Sequence, residues 1–296
     1  MQVCPGATLA LLAVLQAATE YVTAIEQWRK EREASLRSEE GWLAVCGLFW
    51  LEEGENAVGS APGSRVLLPA DAAPARVGVI RLQGERAVFA AEPGVPALWN
   101  GKPVHSAELR PDSSGAQDVL QVGRLKLVLL RRGERYAIRL RDPECQLRKN
   151  FRGLKWFPVR EQWRIAARFL PAPADRKLVV DTIIGTQEEM PLAGEVEFER
   201  DGRIFRLLAA RSGQRLFIVF RDATAGKSTY AAARFLYADP PQDGRVILDF
   251  NRAINPPCAY NPYTTCPLPP LQNRLPVEIP AGEMAYENGP PPAAGP

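Results

Sequence analysis

Nine polar residues in the second half of the chain have types and spacing that could carry chemistry. Two carboxylates, two arginines, three amides and two tyrosines form the set: Asp222, Tyr230, Arg234, Asp249, Asn251, Arg252, Asn255, Tyr260 and Asn273. A carboxylate can transfer protons, a guanidinium can hold an anionic group, and carboxylate and amide oxygens suit hard cations. The set therefore predicts a pocket for a small polar ligand or metal ion. Alternatively, it predicts a hydrolase with Asp222 or Asp249 as the acid/base.

The same residues have a second interpretation, which is structural. The segment 249–273, called the clasp below, contains six prolines and can form neither a helix nor a central strand, because each proline lacks an N–H and restricts its predecessor. Side chains must then pair with its buried backbone groups. The sequence leaves open whether the clasp covers a ligand or only seals a sheet, and it assigns no catalytic residue.

The elements that would position these side chains are strands of a second β domain, residues 150–287. Strands are predicted at Leu216–Phe220, Thr229–Leu236 and Val246–Phe250, and a hairpin is predicted around Arg200-Asp201-Gly202. If the three strands are neighbours, their polar ends converge at one end of a sheet. That arrangement would make one site.

The first half has a different pattern. Residues 19–40 predict an amphipathic helix that packs across a sheet, and residues 41–149 predict a β-sandwich, because short strands recur with turns every ~8–12 residues. Apolar and other residues alternate along the predicted strand Arg124–Leu130, so we expect one face of this strand to be buried.

Composition limits the classes of partner. The chain has 296 residues, 46% hydrophobic and 24% charged, which is ordinary for a globular protein, and its net charge is +3. No arginine-rich tract with interleaved aromatics is present, so we expect no nucleic-acid partner. Cofactor and oligomeric state are not determined by the sequence.

The two termini carry the remaining signals. Residues 1–18 contain an apolar run of signal-peptide length, too short for a stable membrane span, with small residues near Ala18 for cleavage. We expect export to the periplasm or beyond. A non-exported helix of a cytoplasmic protein is the alternative, since no Lys or Arg precedes the run. The Pro-rich tail 288–296 predicts disorder.

Four cysteines remain after residue 18: Cys46, Cys145, Cys258 and Cys266. In an oxidising compartment they allow three pairings. A Cys258–Cys266 disulfide is favoured because it closes a short loop, with a gain of roughly 2 to 3 kcal/mol. Cys46, in an apolar run, is as well explained as a buried thiol. The chain has too few His and Cys for an ordinary zinc site.

Part of the first half resembles a forkhead-associated (FHA) domain. The resemblance rests on Gly54–Ser60, Ser64–Pro69, Asn100–Val104 and the strand after Gly123. That family reads phosphothreonine with an arginine after the glycine and a Ser-x-x-His turn, whereas this chain has Ser60 after Gly59 and Ala73-Pro74-Ala75-Arg76 at the turn. The resemblance implies a β-sandwich and not a phosphopeptide site. A purely structural or protein-interaction role of this first sandwich is a third hypothesis for the function, beside the binding module and the hydrolase.

A second resemblance spans most of the chain. The motifs Gly41–Asn56, Arg148–Gly153, Phe220–Thr224 and the clasp are similar to the bacterial domain-of-unknown-function family 1684. This resemblance implies a bacterial source, frequent export and one unit from about Thr19 to Glu283, but no activity. The expected fold class is therefore mainly β, with an N-terminal helix, an FHA-like sandwich, and a second antiparallel β domain with a Pro-rich C-terminal clasp.

Overall fold

The computed structural model describes residues 5–115, 117–287 and 289, without the side chains of residues 5–15 and 17. The predicted disordered tail 288–296 lies outside the described residues except for Gly289, and so do the first four residues of the predicted signal peptide.

The fold is mainly β, as predicted, and begins with one long helix. The helices are α1 (Pro5–Arg37) and α2 (Gln146–Lys149). The strands of the first half are β1 (Val45–Trp50), β2 (Gly54–Gly59), β3 (Val66–Leu67), β4 (Gly78–Gln83), β5 (Arg86–Ala91), β6 (Leu98–Trp99), β7 (Lys102–Pro103), β8 (Ser106–Leu109), β9 (Leu120–Val122), β10 (Leu125–Arg132) and β11 (Arg135–Arg141). Those of the second half are β12 (Arg164–Pro171), β13 (Lys177–Asp181), β14 (Gln187–Arg200), β15 (Arg203–Ser212), β16 (Arg215–Phe220), β17 (Arg234–Ala238) and β18 (Arg245–Asp249).

Two sheets form the first half. The first sheet has the order β1-β11-β10-β9-β6-β7, and the second has the order β3-β2-β4-β5-β8. Their inner faces meet in one apolar core, to which Ile80, Phe89, Leu127 and Ile138 contribute fully buried side chains. Apolar residues alternate along strands β4, β5 and β11. Because every second residue of a strand points to the same face, these apolar side chains all enter the core between the two sheets.

Strand β10 differs from the expectation of one buried face. All four residues from Leu127 to Leu130 are buried. Leu127 and Leu129 enter the sandwich core, while Val128 and Leu130 lie on the outer face of the sheet. That outer face is covered in part by the clasp, since Arg132 Nε donates to Thr265 Oγ1 over 2.9 Å. Tertiary packing therefore removes the exposed face that alternation predicted.

The second half is built on a third sheet with the order β17-β16-β15-β14-β12-β18, and β13 pairs with β14. The end strands β17 and β18 approach each other, so the sheet curls around a core that includes Phe198, Leu207, Ile218 and Leu248. The predicted Asp-Gly hairpin is present between β14 and β15, with Arg200 opposite Arg203. Asp201 and Gly202 both have positive φ, 51° and 70°, as a two-residue hairpin turn requires.

One predicted strand of the second half is wrong in extent. Residues 229–233 of the predicted strand Thr229–Leu236 form a turn instead, and β17 begins only at Arg234. The amides of Lys227, Ser228 and Thr229 all donate to the carbonyl of Thr224, which closes this turn locally. The backbone is therefore paired within the turn and does not extend the sheet.

Helix α1 packs against the second half through the residues that the periodicity predicted. Ile25 and Leu36 are fully buried, and Trp28 meets Trp156 edge to face with ring centroids 5.6 Å apart. The helix runs from Pro5, whereas the prediction began at residue 19, and it ends at Arg37. Tyr21 contacts the second half through a hydrogen bond from its hydroxyl to Asp249 Oδ1.

Candidate functional site

The structure does not bring the nine predicted residues into one cavity. It distributes them among separate clusters: Asp222 with Arg234; Asp249, Asn251 and Arg252 beside α1; Asn255 and Tyr260 around Glu283; Tyr230 near Cys258; and Asn273 between strands. The predicted convergence at one sheet end is therefore wrong. The sheet curls so that β17 and β18 approach each other, but the polar side chains at their ends pair with different groups, Arg234 with Asp222 and Asp249 with Tyr21.

Asp222 and Arg234 form a closed ion pair. Arg234 Nη1 donates to Asp222 Oδ2 over 2.6 Å and to the carbonyl of Ile279 over 3.0 Å, and Nη2 donates to the carbonyl of Ala281. The backbone N–H of Thr224 donates to Asp222 Oδ1 over 2.7 Å. Burial lowers the pKa of Arg234 although Asp222 opposes the shift. The pair binds the segment 279–281 to β17 and leaves no carboxylate oxygen without a partner.

Asp249 and Asn251 attach the start of the clasp to the helix. Tyr21 Oη donates to Asp249 Oδ1 over 2.8 Å, and Asn251 Nδ2 donates to Tyr21 Oη over 3.0 Å. Asn251 also pairs in both directions with the backbone of Arg160, over 3.1 and 2.9 Å. Burial and the Asp249 carboxylate raise the pKa of Tyr21 above its ordinary value. The side chain of Arg252 lies 3.7 Å from Asp249 and is partly exposed.

Glu283, which sequence reasoning did not select, is the centre of a fully buried cluster. Arg32 Nε lies 3.0 Å from Glu283 Oε1, the backbone N–H of Asn255 donates to Oε2 over 2.8 Å, and the hydroxyl of Tyr260 donates to the same oxygen. Burial and the charge of Glu283 raise the pKa of Tyr260 well above its ordinary value. The cluster joins α1, the clasp and the C-terminal segment.

Gly282 explains why the C-terminal segment can approach the clasp so closely. Its φ is 79°, and a Cβ there would lie 2.3 Å from the carbonyl oxygen of Ala253. Only glycine avoids both the strain and the clash. The Glu283 carboxylate thereby comes within hydrogen-bond distance of the backbone N–H of Asn255. No local sequence motif indicated this contact.

Asn273 and Asn261 pair with backbone groups. Asn273 exchanges hydrogen bonds with Leu208, over 2.7 and 2.9 Å, and donates to the carbonyl of Val219 over 2.8 Å. Asn261 donates to the carbonyls of Trp42 and Val45 over 2.8 and 2.7 Å. These contacts match the structural interpretation of the clasp, in which amides satisfy backbone that cannot pair with itself.

The predicted Cys258–Cys266 disulfide is absent from the structure. All four described cysteines are free thiols, and Tyr230 Oη donates to the carbonyl of Cys258 over 3.3 Å. Cys266 Sγ donates to Thr264 Oγ1 over 3.7 Å. Burial acts to raise the pKa of Cys266, but hydrogen bonding with Cys258 and Thr264 outweighs it and lowers that pKa. Both cysteines lie in one buried apolar cluster.

A pocket of about 370 Å³ lies between α2, the clasp and the C-terminal segment around Tyr286. It is lined by Leu43, Gln146, Leu147, Asn150, Arg152, Tyr260 and Tyr286. Tyr286 contacts the rings of Phe151 and Tyr260, with centroids 5.7 and 5.2 Å apart. Of the nine predicted residues, Tyr260 alone contributes to this lining. Asn150 and Arg152 belong to the motif Arg148–Gly153, which was the sequence signal that could have indicated them.

Two negative findings apply to the part of the chain that the structure describes. It contains no group of three or more His, Cys, Asp or Glu side chains placed to hold a metal ion. No helix within it is long and apolar enough to span a membrane.

Residues 149–284 match the family described as "Protein of unknown function (DUF1684)". The second half of the chain is therefore similar to this family, as its motifs implied. The matched region starts at the motif Arg148–Gly153 and ends one residue after Glu283, so it contains the whole clasp. The predicted resemblance of Gly41–Asn56 lies outside it.

Solved structures similar to this chain include an archaeal protein and FHA domains. The solution structure of an uncharacterized protein from Haloarcula marismortui is 30% identical, covers 48% of this chain and 80% of its own, and has a TM-score of 0.41. The FHA domain of FhaA, complexed with the intracellular domain of a second protein, is 22% identical with a TM-score of 0.23, over 32% of this chain and 97% of that one. No curated protein matches the chain.

Proposed function

We propose that this chain is a binding module whose pocket between α2, the clasp and the segment around Tyr286 holds a small ligand with a flat apolar part and an anionic part. The observation that carries the proposal is the pocket itself, formed where the two ends of the DUF1684 region meet. Its volume of about 370 Å³ is within the range of about 300 to 1,000 Å³ that is usual for small-molecule sites.

The lining supports this class of ligand. Tyr286 is partly exposed and offers a ring surface on which a flat group can pack, while the fully buried Tyr260 packs against the ring of Tyr286. Gln146, Asn150 and Arg152 form a polar rim, and their side chains make no hydrogen bond or ion pair with another described residue. Arg152 contributes a positive charge to this rim, and a guanidinium can form two parallel hydrogen bonds with a carboxylate or phosphate.

The floor of the pocket is rigid because Tyr260 is fixed by Glu283 and Glu283 by Arg32. A side chain that is already ordered loses little conformational entropy when a ligand binds. The buried cluster is thus a support for the pocket and does not itself contact the ligand.

A ligand screen tests the proposal. Thermal unfolding would be measured with aromatic carboxylates, aromatic amino acids and nucleoside monophosphates, and binders would be confirmed by calorimetry. We expect at least one class to bind, and Arg152→Gln to weaken it at least about tenfold. Arg211→Gln, an exposed arginine on β15, is the matched control and should bind normally. Equal binding by both variants, or no binder in the screen, would contradict the proposal.

We also propose that the protein is exported and processed near Ala18. Tyr21, which follows the cleavage point, donates to Asp249, so cleavage near Ala18 keeps this contact between α1 and the clasp. Intact mass of the protein recovered from the periplasm should correspond to a chain that begins near Thr19. A chain that keeps residues 1–18 would contradict this.

In that oxidising compartment, Cys258 and Cys266 would lose two electrons and two protons to a thiol–disulfide oxidant and form the predicted bond. Both cysteines lie in the same buried apolar cluster, which supports this step. Peptide mapping under non-reducing conditions should recover the cross-linked pair. Free thiols at both positions in exported protein would refute it.

A further inference from the structure

Arg139 is a buried cation without an anionic partner. Its residue is 7% exposed, its Nε is buried with no hydrogen-bond partner, and its guanidinium forms no ion pair with a described residue. The guanidinium lies over the ring of Trp42, 4.9 Å from the centroid. Cation–π contact offsets only part of the cost of removing a charge from water.

The surroundings of Arg139 add further positive charge. Arg139 and Arg141 alternate with the core residues Ile138 and Leu140, so both lie on the outer face of β11. Arg141 also has a buried Nε without a partner and no ion pair among the described residues. Burial, followed by repulsion from Arg132 and Arg141, lowers the pKa of Arg139 to about 10.

The nearby carboxylates are already engaged. Asp112 lies 2.8 Å from Arg132, and Glu40 pairs with Lys126. Glu188, half-buried, faces Arg132 and Asp112, while the Cys266 thiol faces Arg139. Two guanidiniums therefore remain uncompensated at the joint between the sandwich and the clasp.

The charge of a buried arginine can be paired in this protein, since Arg234 has one carboxylate and two carbonyl partners, although its Nε, like that of Arg139, has no partner. We propose that Arg139 and Arg141 form a binding site for a small oxyanion of the phosphate or carboxylate kind, with Trp42 as its aromatic wall. The terminal nitrogens of Arg139 are the groups that would donate to the oxyanion. This site lies on the first half of the chain and is independent of the pocket lined by Arg152.

Thermal unfolding of the full chain in potassium phosphate and in potassium acetate tests the site, with potassium chloride added to hold the ionic strength constant. We expect a saturable rise of a few degrees in Tm with one of the two oxyanions. A rise with phosphate alone identifies a phosphate site, and a rise with acetate as well identifies a general carboxylate and phosphate site. A Tm that depends only on ionic strength would overturn the proposal and leave water as the partner of Arg139.

The variants Arg139→Gln and Arg141→Gln locate the effect. We expect Arg139→Gln to weaken the apparent oxyanion affinity at least about tenfold, while the exposed control Arg211→Gln leaves it unchanged. If Arg139→Gln does not fold, Arg141→Gln should still weaken binding, measured by broadening of the phosphate signal in ³¹P NMR or of the acetate signal in ¹³C NMR. Undiminished binding by the folded arginine variants would place the anion elsewhere and refute the site.

Discussion

Arg234 in the second half and Arg139 in the first are both buried arginines on β-strands, 1% and 7% exposed. Arg234 has an ion pair with Asp222 and two carbonyl acceptors, whereas Arg139 has a tryptophan ring and positive neighbours. The difference separates a side chain that maintains the fold from one that is available to an external anion. Burial of polar groups alone does not identify a site, because the clasp contains many that are fully paired.

The largest effect should follow from breaking the compensated pair. Asp222→Asn would leave the Arg234 charge buried without a counter-charge, so we expect a loss of about 3 to 5 kcal/mol in the free energy of unfolding. Urea denaturation measures it. The exposed Asp243→Asn on the β17–β18 connection is the control and should change little. A loss below about 1 kcal/mol for Asp222→Asn would remove the contrast with Arg139.

A smaller loss is expected at the support of the pocket. Glu283→Gln removes the charge that faces Arg32 while keeping the side-chain volume, and it disturbs the bonds from Tyr260 and Asn255. We expect a loss of about 2 to 3 kcal/mol in the free energy of unfolding, since hydrogen bonds to charged groups contribute about 1.5 to 3 kcal/mol. Urea denaturation beside the conservative Tyr260→Phe would test it. Unchanged stability for both would show that the cluster does not hold the clasp.

The smallest effect concerns a compensated carboxylate in the first half. Burial acts to raise the pKa of Asp118, but hydrogen bonds from Arg110 and Asn100 outweigh it and lower the pKa to about 2. This stabilisation is present above about pH 4, the range of a free aspartate, and is lost as pH falls through about 2. Because Arg110 is half exposed, we expect less than about 1 kcal/mol.

The variant Asp118→Asn measures this contribution. The difference in unfolding free energy between native protein and variant should be largest above pH 4 and should shrink between pH 4 and pH 2. A difference that does not change over this range would show that Asp118 is not ionised in its contact with Arg110.

Much of the fold could be predicted because it depends on local patterns. The Asp201-Gly202 hairpin, the helical stripe of Ile25 and Leu36, and the sandwich strands all follow from residue periodicity or turn chemistry. The turn at 229–233 could not be predicted, because its apolar and aromatic residues favour a strand and only the pairing to Thr224 excludes one.

The candidate sites were much harder to predict. The alternation of residues along β11 predicts that Arg139 and Arg141 are exposed on its outer face. No residue near them in the sequence indicates that the clasp and Trp42 cover that face. Glu283 was missed for a similar reason, since its partners Arg32 and Asn255 lie 251 and 28 positions away.

The sequence by itself determined the β-rich class, the helix that precedes it, the family resemblance and the irregular clasp, because prolines, turn residues and side-chain periodicity act over a few residues. Only the tertiary structure decided which polar groups of the clasp are paired, that Asp222 meets Arg234, and that Arg139 meets no carboxylate. Charge compensation depends on distances between elements that are remote in the chain, and these distances are fixed only when the sheets, the helix and the clasp pack together.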